Sequence, residues 1–217
     1  MEVSTFNFLK NLEANNNREW FNDHKEDYLR ARENLVSFVD QLISVIAEFD
    51  ERIARVDAEK SLYRIYRDTR FSHDKSPYKN NFGANIGMGK GHQSAGYYLH
   101  IQPGGSFLAG GIYMPERNQL KEIRSEISYN RKEFETLMSN DSFQRNFGGL
   151  SEEGKLKRVP NGFEKDDAMG EYLKLKHFVA IRLVSSKEFK QKNAVQKFGK
   201  VFESVKPLND FLNKIFD

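Results

Sequence analysis

Between residues 18 and 49 the apolar side chains Trp20, Phe21, Tyr28, Ala31, Leu35, Phe38, Leu42, Ile46 and Phe49 recur at three- and four-residue steps. Such a stripe has one covered side, and it predicts a long amphipathic helix over 18–49 that lies on one face of a sheet. Downstream the period drops to two. In 81–87, Phe82, Ala84 and Ile86 alternate with Asn81, Gly83 and Asn85, and in 97–102, Tyr97, Leu99 and Ile101 alternate with Tyr98, His100 and Gln102. One apolar and one polar side is what an antiparallel strand shows when only one face is covered. Residues 62–68, 81–87, 96–102, 106–114 and 177–185 are read as strands, with hairpin turns at 87–92 and 103–105.

Helical spacing flanks this region. Ser4 or Thr5 is expected to cap a first short helix, and Asn17 the long one. Helices resume at Pro115, and Asn130 with Glu133 and Ser185 with Glu188 have capping-box spacing. Residues 148–170, rich in glycine and charge, are expected to be mostly loop. Phe189, Val195, Phe198, Phe202 and Val205 mark a further helix, and Pro207 is expected to open a separate last one on Leu208, Phe211, Leu212 and Ile215. The expected architecture is α+β. A single domain over 1–217 would hold a mainly antiparallel sheet of about five strands, covered by the long N-terminal helix and the C-terminal helices.

The 217 residues are 38% hydrophobic and include no cysteine. That excludes collagen-like and disordered chains, disulfide frameworks, thiol catalysis and thiolate metal sites. No basic-then-apolar leader and no apolar run near 18 residues occurs, so a soluble cytoplasmic protein without a membrane partner is expected. The formal net charge is only +3. It is unevenly spread: residues 1–60 are acidic and the remainder mildly basic, with nine Lys/Arg against Glu188 and Glu203 in 174–206.

One segment departs from this pattern. Residues 63–79 hold Arg64, Arg67, Arg70, Lys75 and Lys79 against Asp68 and Asp74, together with Tyr63, Tyr66, Tyr78 and His73. On a strand, Arg64, Tyr66 and Asp68 would share one face and Tyr63, Ile65 and Arg67 the other, placing an arginine on both sides. A covered guanidinium left without an acceptor costs on the order of 3–5 kcal/mol, so Asp68 and Asp74 are the expected partners. The cationic surplus suits an anion, because guanidinium forks grip phosphate or carboxylate at two points and lysine adds a point charge. Ser72 and Asp74 suit local turn bonds, and Pro77 stiffens the exit. The competing reading is a structural salt-bridge network that pins a loop.

Arg64-x-x-Arg-Asp-x-Arg-Phe-Ser-x-Asp-Lys-x-Pro-Tyr-Lys79, followed by Gly96-Tyr-Tyr-Leu-His-Ile101 and Gly110-Gly-Ile-Tyr-Met-Pro115, resembles the conserved hypothetical family called domain of unknown function 2461. The resemblance covers nearly the whole chain. It implies an intracellular α+β protein of microbial type and brings no established reaction, cofactor or ligand.

The expected site lies where the arginine segment meets the polar face of β-residues Tyr98 and His100. Arg64, Arg67 and Arg70 would hold small anionic ligands, phosphorylated ones included, with Asp68 orienting an arginine. Lys75 and Lys79 would line the mouth, and Ser72 and Tyr78 are further candidate binding residues. Arg182 interrupts an apolar strand and either joins this site or snorkels at an edge. His100 or Asp74 would carry a proton if catalysis occurs, but no catalytic motif is present: no G-x-S-x-G frame surrounds Ser106, and no acid–base carboxylate pair stands out. The histidines lack metal-ligand spacing, and the glycines at 87–91 lack a nucleotide fingerprint, so neither metal nor cofactor is expected. The alternative function is a nucleic-acid-associated or protein-interaction module in which the arginine motif is structural.

Overall fold

The computed structural model describes residues 1–87 and 94–216. Its helices are α1 (Val3–Ala14), α2 (Arg18–Asp23), α3 (Lys25–Ala47), α4 (Ala58–Ser61), α5 (Arg117–Tyr129), α6 (Arg131–Met138), α7 (Asp141–Phe147), α8 (Gly170–Leu173), α9 (Ser186–Phe189) and α10 (Ala194–Asn213). Strands β1 (Phe82–Ile86), β2 (Gly96–Ile101), β3 (Phe107–Ile112) and β4 (Phe178–Leu183) form one antiparallel sheet in the order β1-β2-β3-β4. The class is therefore α+β, with four strands among the described residues rather than about five.

The strand expected over 62–68 is absent. Pairing there is limited to two isolated bridges, Leu62 with Ala84 and Tyr66 with Tyr78. The second bridge turns the segment onto its own continuation, which prevents a continuous ladder with β1. The hairpin turn at 103–105 is present: the Gly105 amide donates to the Gln102 carbonyl, and the Ser106 hydroxyl both accepts from the Gln102 amide and donates to its carbonyl. The other expected turn, with its glycines and His92, lies beyond Gly87 outside the described residues.

By internal contacts the chain forms two compact units, the first comprising Met1–Ile86, Tyr98–Leu108 and Leu183–Lys200, the second Gly87–Tyr97, Ala109–Arg182 and Val201–Asp217. In the first, the long helix foreseen over 18–49 is divided at His24, whose backbone leaves helical geometry at φ −110°, ψ 24°. The His24 amide still donates to the Trp20 carbonyl at 3.0 Å; the same carbonyl also accepts from the imidazole Nδ1 at 2.8 Å, and the ring stacks on Trp20. Asn17 caps α2 by accepting from the Trp20 amide. Ser4 and Thr5, by contrast, lie inside α1, and Thr5 instead donates to Asn34. The α3 stripe buries Ala31, Leu35, Phe38, Leu42 and Ile46. Phe38 meets Phe189 and Phe198, Val45 fills the space above Gly199, and Tyr28 reaches Phe82 on β1.

In the second unit α10 packs on the sheet. Phe202 meets Tyr97, and Val205 occupies the volume that a Cβ on Gly110 would need. Pro207 does not open a new helix; it lies inside α10. A proline interior to a helix costs roughly 3 kcal/mol. Burial of Val201, Phe202, Val205, Leu208, Phe211 and Leu212 offsets it, since each such side chain contributes about 1.5–3 kcal/mol. The capping box at Ser185 and Glu188 is present, Asn130 makes no side-chain cap, and a further box joins Glu116 to Gln119.

Candidate functional site

The arginine segment is a hairpin-like loop closed at its neck. The Arg67 amide donates to the Pro77 carbonyl at 2.9 Å and the Lys79 amide to the Ile65 carbonyl at 2.8 Å. Across the loop the Arg67 guanidinium pairs with Asp74 and donates to the Ser76 hydroxyl at 3.1 Å and the Ser72 hydroxyl at 3.5 Å. Hydrogen bonds from Ser76 and Arg67 hold the Asp74 carboxyl well below the usual carboxylate range. Arg70 forms a two-point pair with Asp68, at 3.0 and 2.7 Å, and the Lys75 ammonium donates to the Thr69 carbonyl at 2.9 Å. Each aspartate thus has its own arginine.

The turn between α1 and α2 fastens this loop from outside. The Asn16 side-chain amide donates to the Tyr78 carbonyl at 2.9 Å, and its oxygen accepts from the Tyr78 amide at 3.1 Å, so one side chain acts as a strand neighbour. Tyr78 is buried and stacks on Phe21 with ring centres 4.0 Å apart. Between turn and loop lies a cleft of about 800 Å³, lined by Asn16, Asn17, Arg18, Asn22, Tyr66, Arg67, Thr69, Lys75, Ser76, Pro77 and Tyr78. Three of these are cations and none is a carboxylate. Arg18 is exposed and makes no hydrogen bond or ion pair among the described residues. A smaller cleft of about 460 Å³ holds Glu13, Asp74 and Lys79 on the other side of Arg67.

Tyr98 and His100 project from β2 onto a separate surface. With its proton on Nε2, His100 donates to Gln102 Oε1 at 3.1 Å and accepts from the Tyr98 hydroxyl at 3.2 Å. Burial holds the His100 imidazole below its ordinary value, against a smaller opposing effect of the Gln102 bond. Burial, with the neighbouring Tyr63, pushes the Tyr98 phenol up to about 12.

A family model described as "Conserved hypothetical protein (DUF2461)" matches residues 4–211. The chain belongs to this family. No curated protein and no solved structure matches it. Each of the three stretches that carried the resemblance has a definite place in this family member. The arginine stretch forms the pinned loop, and the second stretch is β2. The third leaves β3 through Gly111, at φ 118°, and Met114, at φ 52°, whose amide donates to His177 Nδ1 at 3.0 Å.

The expected site residues therefore fall into several groups. Arg67, Lys75 and Tyr78 line the large cleft, while Arg70, Asp68 and Ser72 hold the loop together. Lys79 lies over the Tyr63 ring, which neighbours Tyr98, and the charge of Arg64 acts on both Lys79 and Asp68. Arg182 belongs to the second unit, where its guanidinium donates to Asn146. Among the described residues no cluster of three or more His, Asp or Glu side chains stands ready for a metal, and no helix is long and apolar enough to cross a membrane. Sequence reasoning missed Asn16, Arg18 and Asn22. Of the asparagine run only Asn17 carried an expectation, as a helix cap, and nothing local announces a partner 62 residues away.

Proposed function

We propose that this family member binds a small anionic ligand, phosphate- or carboxylate-bearing, in the cleft between the α1–α2 turn and the arginine loop. The supporting observation is the lining: Arg18, Arg67 and Lys75 converge with no carboxylate among them, and Asn16, Asn22, Thr69 and Ser76 add neutral hydrogen-bonding groups. Arg67 is held in place by Asp74 and Ser76, which lowers the ordering cost of presenting its fork. Arg18 brings an unengaged charge. A structural role for the loop network is the second reading, favoured by the pairing of both Arg67 and Arg70 with aspartates.

Thermal shift with inorganic phosphate, sulfate and citrate separates the two. A ligand at one hundred times its dissociation constant adds about 2.7 kcal/mol, or roughly 5–10 °C for a chain this size. Such a rise for one anion class is expected in the wild type, with about tenfold weaker binding in Arg18→Gln. A wild type indifferent to every anion, alongside an Arg67→Ala protein that melts far lower, would reduce the network to a structural clamp.

A further inference from the structure

The polar side of the sheet in the first unit carries a second arrangement, independent of the cleft and sharing no residue with it. Phe107 on β3 stacks flat on His100, with centres 4.5 Å apart and planes 11° from parallel. Tyr98 lies 5.7 Å from Phe107, and Tyr63, from the segment before β1, lies 6.1 Å from Tyr98. The four rings form a continuous row. Gly83 makes the row possible: a Cβ there would stand 2.5 Å from the Tyr98 hydroxyl and 3.2 Å from the Tyr63 ring. The Tyr63 amide, donating to the Gly83 carbonyl at 2.9 Å, fixes the outer ring across β1.

Tyr98, His100 and Phe107 are partly buried, and Tyr63, at the end of the row, is 41% exposed. The polar atoms of Tyr98 and His100 are consumed in the hydrogen bonds to each other and to Gln102. What remains to offer a ligand is ring surface rather than a donor pattern. At the Tyr63 end stand two cations. The Lys79 ammonium lies 5.5 Å from the Tyr63 ring centre, and Arg64 adjoins Tyr63 in the chain. Neither makes a hydrogen bond or ion pair among the described residues, and burial followed by the charge of Arg64 holds the Lys79 ammonium below its ordinary value. Asp68 is a carboxylate that feels the Arg64 charge, yet Arg64 and Lys79 make no direct ion pair among the described residues, and two adjacent like charges favour an incoming anion.

We infer that this face is a binding platform for single-stranded nucleic acid, with bases stacking on Tyr63 and the rings beyond it and backbone phosphates meeting Arg64 and Lys79. Aromatic rings in series beside cations are what sequence-tolerant single-strand recognition requires, since every base has a π-face and every nucleotide a charge. An apolar protein partner would bury the Lys79 ammonium and the adjacent Arg64 charge without a new counterion.

The test is fluorescence anisotropy of labelled dT and rU twelve-mers at about 50 mM salt, the regime in which phosphate contacts are strongest. Wild type is expected to bind, with Tyr63→Ala weaker by about tenfold and Tyr63→Phe close to wild type. Arg64→Gln and Lys79→Gln are each expected to lower the slope of log affinity against log salt by about one. Melting temperatures of all four variants establish that each is folded. Absent binding by folded wild type overturns the assignment, as does binding that Tyr63→Ala and Arg64→Gln leave intact. Competition by free UMP as strong as that of the oligonucleotide also overturns it, replacing the strand with a mononucleotide.

Discussion

At the residue scale, what a charged or polar side chain does here depends on which neighbour satisfies it. Arg67 and Arg70 occur three positions apart in one motif, yet Arg67 is half-buried against Asp74 while Arg70 stands exposed with Asp68. His100 shows the same dependence through its titration. Its folded-state value is depressed from about 6.5, so below that pH the unfolded chain takes up a proton that the folded chain resists. Stability should therefore be flat above about pH 7.5 and decline as the pH falls below about 6.5. Urea midpoints at about pH 8, 6.5 and 5 measure this, and His100→Gln should flatten the decline over that window. Asp74 acts elsewhere on the scale: its depressed carboxyl favours the folded state above the ordinary carboxylate value, and that contribution is lost progressively as the pH falls below it.

At the scale of elements, close approaches decide which glycines are replaceable. Gly110 and Gly111 are consecutive on β3, but their obstacles differ. A Cβ on Gly110 would meet the Val205 side chain, which can turn or shift. A Cβ on Gly111 would meet the backbone carbonyl of Phe178, at a residue whose φ is 118°. Gly110→Ala is expected to destabilise by about 1–3 kcal/mol through overpacking, and Gly111→Ala by more, because the partner is main chain and the conformation is strained for any L side chain. Equal chemical-denaturation losses for the two variants would contradict this ranking. The same scale explains the misjudged helix ends. His24 has no breaker character by composition, and neither its φ of −110° nor its ring's bond to the Trp20 carbonyl is legible in its residue type. Pro207 is a strong local breaker, and only the burial around it carries α10 through.

At the scale of the whole molecule, β2, β3, β4 and α10 each contribute residues to both compact units. A helix or strand ladder forms cooperatively along its length, so the two units are expected to unfold in one transition. Trp20, the sole tryptophan, belongs to the first unit, whereas far-ultraviolet dichroism reports every helix. Urea curves from the two probes should superimpose. A separated pair would show independent domains.

Much of this protein was legible along the chain. The four strands β1 to β4 were located within about two residues, β1 and β2 by their alternation, which burial of one face imposes on a strand regardless of its neighbours. Charge density located the arginine loop, and residue chemistry implied that its aspartates would serve its arginines. Tertiary structure decided the rest. It turned residues 62–68 away from a ladder, brought Asn16 to the Tyr78 backbone, placed Arg18 opposite Lys75 in one cleft, and set Tyr63 beside Tyr98. Local patterns record which side of an element is covered, whereas a binding site is defined by groups distant in sequence, whose meeting depends on how every intervening element packs.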